Sequence, residues 1–87
     1  MNVDIYVSAT NSLKFVSVRA GQDIALLSLP NDPDLSTLNP RSLDQAITAG
    51  SNFEALSTDD MLSQIDKQGY ALQLAPPMVG RSGSVSG

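Results

Sequence analysis

Ser57-Thr58-Asp59-Asp60-Met61-Leu62-Ser63-Gln64-Ile65-Asp66-Lys67-Gln68-Gly69, followed directly by Tyr70-Ala71-Leu72-Gln73-Leu74, is the best-patterned stretch of this 87-residue chain. Ser57 with Asp60 has the spacing of a capping box, with Asp in place of the usual Glu, and Thr58 is an equally good cap. Asp59 and Asp60 fall in the first turn and Lys67 near the end, where the helix dipole favours each sign of charge. Met61, Leu62 and Ile65 make one apolar stripe, and Gly69 offers a left-handed exit. Tyr70, Leu72 and Leu74 then alternate with small or polar residues as in a strand, before Pro76-Pro77. A short amphipathic helix feeding a strand makes the fold class α+β. The stretch carries no reactive group.

Upstream, Val3, Ile5 and Val7 alternate with Asp4, Tyr6 and Ser8, the period of a half-buried strand. After the polar connector Ala9-Thr10-Asn11-Ser12, the run Leu13 to Arg19 resumes the β pattern, so the two segments are expected to form a hairpin. Ile24-Ala25-Leu26-Leu27-Ser28-Leu29 is too short for periodicity to decide between a third strand and a loop lying over the sheet. Pro30-Asn31-Asp32-Pro33-Asp34 is turn sequence. Asn39-Pro40 is read as a helix entrance, Leu43, Ala46 and Ile47 as its apolar face, and Gly50 as its stop. A short strand is expected around Phe53.

The expected architecture is therefore a two-layer or sandwich α+β domain over residues 1–77. An approximately four-stranded, largely antiparallel sheet in the order β-β-α-β-α-β carries two short helices. Its candidate core is Val3, Ile5, Val7, Phe15, Val16, Val18, Leu43, Ile47, Leu62, Ile65, Leu72 and Leu74. Residues 78–87, rich in Gly and Ser, are expected to form a flexible tail.

Composition narrows function by exclusion. The chain has no histidine and no cysteine, which removes the commonest general base, the usual zinc ligands, thiol nucleophiles and disulfides. Asp32-Pro33-Asp34-Leu35-Ser36 opens like a calcium loop, but the sixth position is Thr37 instead of Gly and the twelfth is Leu43 instead of Glu. Gly80-Arg81-Ser82-Gly83-Ser84 lacks the lysine and following helix of a phosphate loop. Neither an enzyme nor a cofactor or metal site is expected. The net charge is −4, and eight acidic residues face one cation, Arg41, between Asp23 and Asp66. Such a balance disfavours nucleic-acid backbones. No run reaches membrane-spanning length, and no secretory leader is expected from the opening Met1-Asn2-Val3-Asp4, which has neither a cationic region nor an apolar core. The cytoplasm is the expected compartment.

The order strand–strand–helix–strand–helix–strand, closing on Lys67-Gln68-Gly69-Tyr70-Ala71-Leu72-Gln73-Leu74-Ala75-Pro76-Pro77, resembles the YcgL-domain family, chiefly over residues 57–77. The resemblance implies a small bacterial α/β sandwich protein of unassigned biochemical function, with no catalytic residues to carry over. The leading expectation is a non-catalytic interaction or accessory protein that docks to another protein. Its candidate contact residues are Ile24, Leu26, Leu27 and Leu29, together with an open sheet edge through which a homodimer could form. The alternative is an acidic regulator that imitates nucleic acid, with Asp32, Asp34, Asp44, Asp59, Asp60 and Asp66 along one face.

Overall fold

A computed structural model describes residues 1–76; the expected tail over 78–87 and Pro77 lie outside the described residues. Strands β1 (Asn2–Ser8) and β2 (Lys14–Arg19) form the expected antiparallel hairpin, with Val7 opposite Phe15 and Val3 opposite Arg19. A long connection containing two single 3-10 turns leads to β3 (Leu38–Ala46). The miniature hairpin β4 (Asn52–Phe53) and β5 (Leu56–Ser57) precedes helix α1 (Thr58–Gln68) and strand β6 (Tyr70–Leu74). The main sheet is antiparallel, in the order β3-β1-β2-β6.

The deciding stretch folds as its pattern requires. Ser57 is the N-cap and its hydroxyl accepts from the Asp60 N–H at 3.3 Å. Gly69 closes the helix at φ +88, its N–H donating to the Ile65 carbonyl at 2.8 Å. Met61 and Ile65 are fully buried and Leu62 is half-buried. Thr58 packs at the start of the helix rather than capping it. Its hydroxyl accepts from the Ser51 N–H at 3.1 Å and lies 2.7 Å from the carbonyls of both Thr48 and Ser51.

The helix expected from Asn39-Pro40 onward is instead β3, so the described residues hold one α-helix and not two, and the order β-β-α-β-α-β does not hold. The physical reason lies in β1, whose outer backbone groups need a partner once the strand is buried. β3 supplies it, with two register shifts, between Val3 and Ile5 and between Ile5 and Tyr6. These bulges blur the period-2 signal and leave Leu43, Ala46 and Ile47 at a spacing that imitates a helix. Asp44 adopts φ +52 at one of them, a conformation that Asp tolerates better than most side chains. Leu43, an expected core residue, is 57% exposed on this edge, and Leu74 is 66% exposed on the other.

The molecule has an apolar cluster on each face of the sheet. On one face α1 covers Val3, Ile5, Phe15, Ile47, Leu56 and Ala71. On the other, Val16, Val18 and Leu35 are buried, with Tyr6, Leu38, Tyr70 and Leu72 half-buried around them. Residues 20–37, hereafter the strap, cover that second face. The Ile24–Leu29 run is therefore a loop over the sheet, with a 3-10 turn at Ile24–Leu26, and not a further strand. No helix among the described residues is long and apolar enough to cross a membrane.

Candidate functional site

The four residues singled out in the sequence lie on the strap, and they divide by role. Asp23 caps the first 3-10 turn by accepting from the Ala25 N–H at 3.0 Å. This turns Leu26 outward, 77% exposed. Ile24, Leu27 and Leu29 point back and pack, half-buried, against the second sheet face. Together with Leu35 and Leu38 they line a shallow recess of about 310 Å³. Leu26 projects from the same 3-10 turn as Ile24 and Ala25, two residues of the recess wall. Ala25 and Ser36 complete the lining, which is otherwise made of Ile and Leu side chains.

The strap is tethered by a charged cluster. Lys14 Nζ donates to Asp32 Oδ2 at 2.6 Å and to Asp34 Oδ2 at 3.0 Å, and the Thr10 hydroxyl donates to Asp34 Oδ1 at 2.6 Å. Asp32 also accepts from the Asp34 N–H at 2.9 Å, capping the second 3-10 turn. The hydrogen bond from Lys14 holds the Asp32 carboxyl below its ordinary 3.8, with the Asp34 N–H adding to the effect. The Thr10 hydroxyl, then Lys14, lowers Asp34. The two carboxylates in turn raise Lys14. The pair of aspartates that opens like a calcium loop in the sequence thus converges on an ammonium group. Among the described residues no three acidic side chains come together as a set able to hold a metal ion.

Neither edge of the sheet is a free template for another strand. On β6 the Gln64 side chain occupies both outward backbone groups of Leu72, and Gln68 Nε2 donates to the Tyr70 carbonyl at 3.2 Å. On β3 the obstacle is Pro40. The Ala9 N–H donates to the Thr37 carbonyl, which makes that pair hydrogen-bonded. The alternation then puts Pro40, opposite Tyr6, at a position whose N side faces outward. Proline has no N–H to offer there, and the two bulges bend the rest of the edge.

A larger recess, of about 600 Å³, escaped the sequence reading. Leu13, Phe15, Leu56 and Ala75 contribute to its walls, and so do Arg41 and Glu54, which are paired with each other. These residues come from separate segments of the chain, so no local spacing marks the recess in the sequence. Glu54 at φ +55 is the one local irregularity. The carboxylates expected to line one face of an acidic mimic are divided: Asp32 and Asp34 sit on the strap, Asp59, Asp60 and Asp66 on α1 across the sheet, and Asp44 on the β3 edge. No protein-family model, curated protein or solved structure matches the chain.

Proposed function

We propose that the protein is a small non-catalytic docking or accessory protein that binds another protein through the outer surface of the strap. The observation that carries this reading is the exposure of Leu26 beside the recess lined by Ile24, Leu27 and Leu29. A leucine held in water by a capped turn gains free energy only when something covers it. Lone exposed leucines are ordinary, but this one adjoins a concave apolar surface. The strap, and not a sheet edge, is the surface assigned, because Gln64 blocks one edge and Pro40 interrupts the other. A homodimer would accordingly form through the strap. Carboxylates on opposite sides of the sheet do not support mimicry of nucleic acid.

The test is affinity capture with the purified protein and a Leu26→Lys variant, alongside sedimentation velocity at two concentrations. The proposal expects a captured partner, or a dimer, that is lost on substitution while the circular dichroism spectrum is unchanged. A monomer whose captured proteins are identical for both forms would overturn it.

A further inference from the structure

The strap is attached to the sheet in an unusual way. Its ends are fixed by main-chain groups. The Gly21 N–H donates to the Asp4 carboxylate at 3.0 Å, and the Thr37 carbonyl accepts from the Ala9 N–H at 3.0 Å. Between those ends, every backbone hydrogen bond of residues 23–36 among the described residues is local. The set runs Leu26 to Asp23, Leu27 to Ile24, Asp32 to Pro30, Leu35 to Asp32 and Ser36 to Pro33. The polar ties to the rest of the molecule are the Thr10 and Lys14 bonds to Asp32 and Asp34. The remaining hold is apolar, from Leu35 and the half-buried Ile24, Leu27 and Leu29.

Sheet strands and α1 are held quite differently, by backbone hydrogen bonds from strand to strand and along the helix. A segment with local bonds, half-buried contacts and one charged latch can separate from such a body at lower free energy than the body itself unfolds. Gly21, at φ +84 with open space around its α-carbon, sits at the hinge end. We propose that residues 20–37 open as one unit while the sheet and α1 stay folded, uncovering Val16 and Val18, and that the grip of Lys14 on Asp32 and Asp34 sets how often this happens. The device does not depend on whether the closed strap docks a partner.

Two valines make a matched pair of reporters. Val18 lies under the strap and Val3 under α1, both at 0% exposure, on paired strands with Asp4 directly opposite Val18. The chain has no cysteine of its own, so a single thiol can be placed at either site. In native buffer, iodoacetamide should modify the Val18→Cys protein several-fold faster than the Val3→Cys protein. Adding Lys14→Met should raise the first rate several-fold further and leave the ratio of the second rate to its global unfolding rate unchanged. If Val18→Cys does not fold, Val16→Cys replaces it, and Asp34→Asn replaces Lys14→Met on the same ground. Equal rates for the two thiols, or a latch substitution that raises both alike, would show that the strap opens only with the whole protein and would overturn the proposal.

Discussion

The amide of Gln64 grips the backbone of Leu72 at both ends: Nε2 donates to the Leu72 carbonyl at 3.1 Å, and the Leu72 N–H donates to Oε1 at 3.0 Å. A helix side chain thereby takes the place of a neighbouring strand. Pairing of Leu72 opposite Val16 leaves these two groups facing away from β2, and an amide has the one donor and one acceptor geometry that matches them. The same amide is held by its neighbours on α1, donating to Asp60 Oδ2 at 2.9 Å and accepting from Gln68 Nε2 at 3.2 Å. The i, i+4 spacing of Asp60, Gln64 and Gln68 puts all three on the side of the helix that overhangs β6.

Replacing Gln64 by Leu should therefore do two things. It removes two hydrogen bonds from partly buried backbone groups, at a cost of roughly 1–3 kcal/mol. It also uncovers a strand edge, which favours intermolecular pairing. The expected result is a lower urea midpoint together with self-association that rises with concentration in sedimentation velocity. A variant that loses stability yet remains strictly monomeric would show that the edge needs no guard.

Asp4 plays a comparable part inside the sheet. Its carboxylate accepts from the Gly21 N–H at 3.0 Å and from the Asp44 N–H at 2.8 Å, so one buried side chain fixes both the end of β2 and the bulge in β3. Asp4→Ala leaves two backbone donors without that acceptor and should destabilise the fold by about 2–4 kcal/mol, since one hydrogen bond to a charged group contributes about 1.5–3 kcal/mol and two are lost. Denaturant unfolding followed by circular dichroism measures this. A change below about 0.5 kcal/mol, typical of surface positions, would contradict the role given to Asp4.

These two residues mark how far the sequence could be read. The capped helix, the Gly69 exit, the β1–β2 hairpin and the alternation of Val3, Ile5 and Val7 were legible because each is a local pattern with a local cause. β3 was not, since its pairing with β1 is decided some forty residues away and its bulges erase the alternation. Asn39-Pro40 suits a helix start and an edge strand equally well, and only the vacant side of β1 chooses between them. The roles of Gln64 and Asp4 are likewise tertiary. A polar residue on a helix or in a strand reads as solvent-facing until the chain brings a backbone group to it. Of the candidate contact residues, Leu26 emerged exposed, while Ile24, Leu27 and Leu29 were half spent on covering the sheet. The YcgL-domain resemblance rests on residues 57–77, of which Ser57 to Leu74 form cap, helix, glycine exit and strand, and on an element order whose first helix is here a strand.

The latch gives a definite pH dependence. Asp32 and Asp34 titrate below their ordinary 3.8 in the folded protein, so their contribution to stability is complete above the unfolded value. It is lost as pH falls through the folded one. Lys14 titrates above its ordinary 10.5; its contribution is complete below that value and is lost as pH rises through the folded one. Stability should hold level between these limits as far as the latch is concerned, and begin to fall below about pH 4. Lys14→Met should flatten the acid limb when melting temperature is recorded against pH. An acid limb of unchanged slope in that variant would mean that the latch contributes nothing to folding.

Leu26 and Leu35 separate the strap's outer surface from its inner one. Leu26 is 77% exposed, so Leu26→Lys should shift unfolding free energy by no more than about 0.5 kcal/mol. Leu35 is 8% exposed and packs in the cluster with Val16 and Val18, so Leu35→Ala should cost about 2–4 kcal/mol, the transfer of a buried side chain plus the cavity left behind. If the strap opens as a unit, part of that cost appears as local release of the strap. Thiol reactivity at Val18→Cys would then rise more in the Leu35→Ala background than the loss of global stability accounts for. The same background should leave reactivity at Val3→Cys tied to global unfolding, because α1 and its cluster lie on the far side of the sheet. A Leu26→Lys protein that unfolds early would mean that Leu26 is buried in solution, and the docking surface would have to be sought elsewhere.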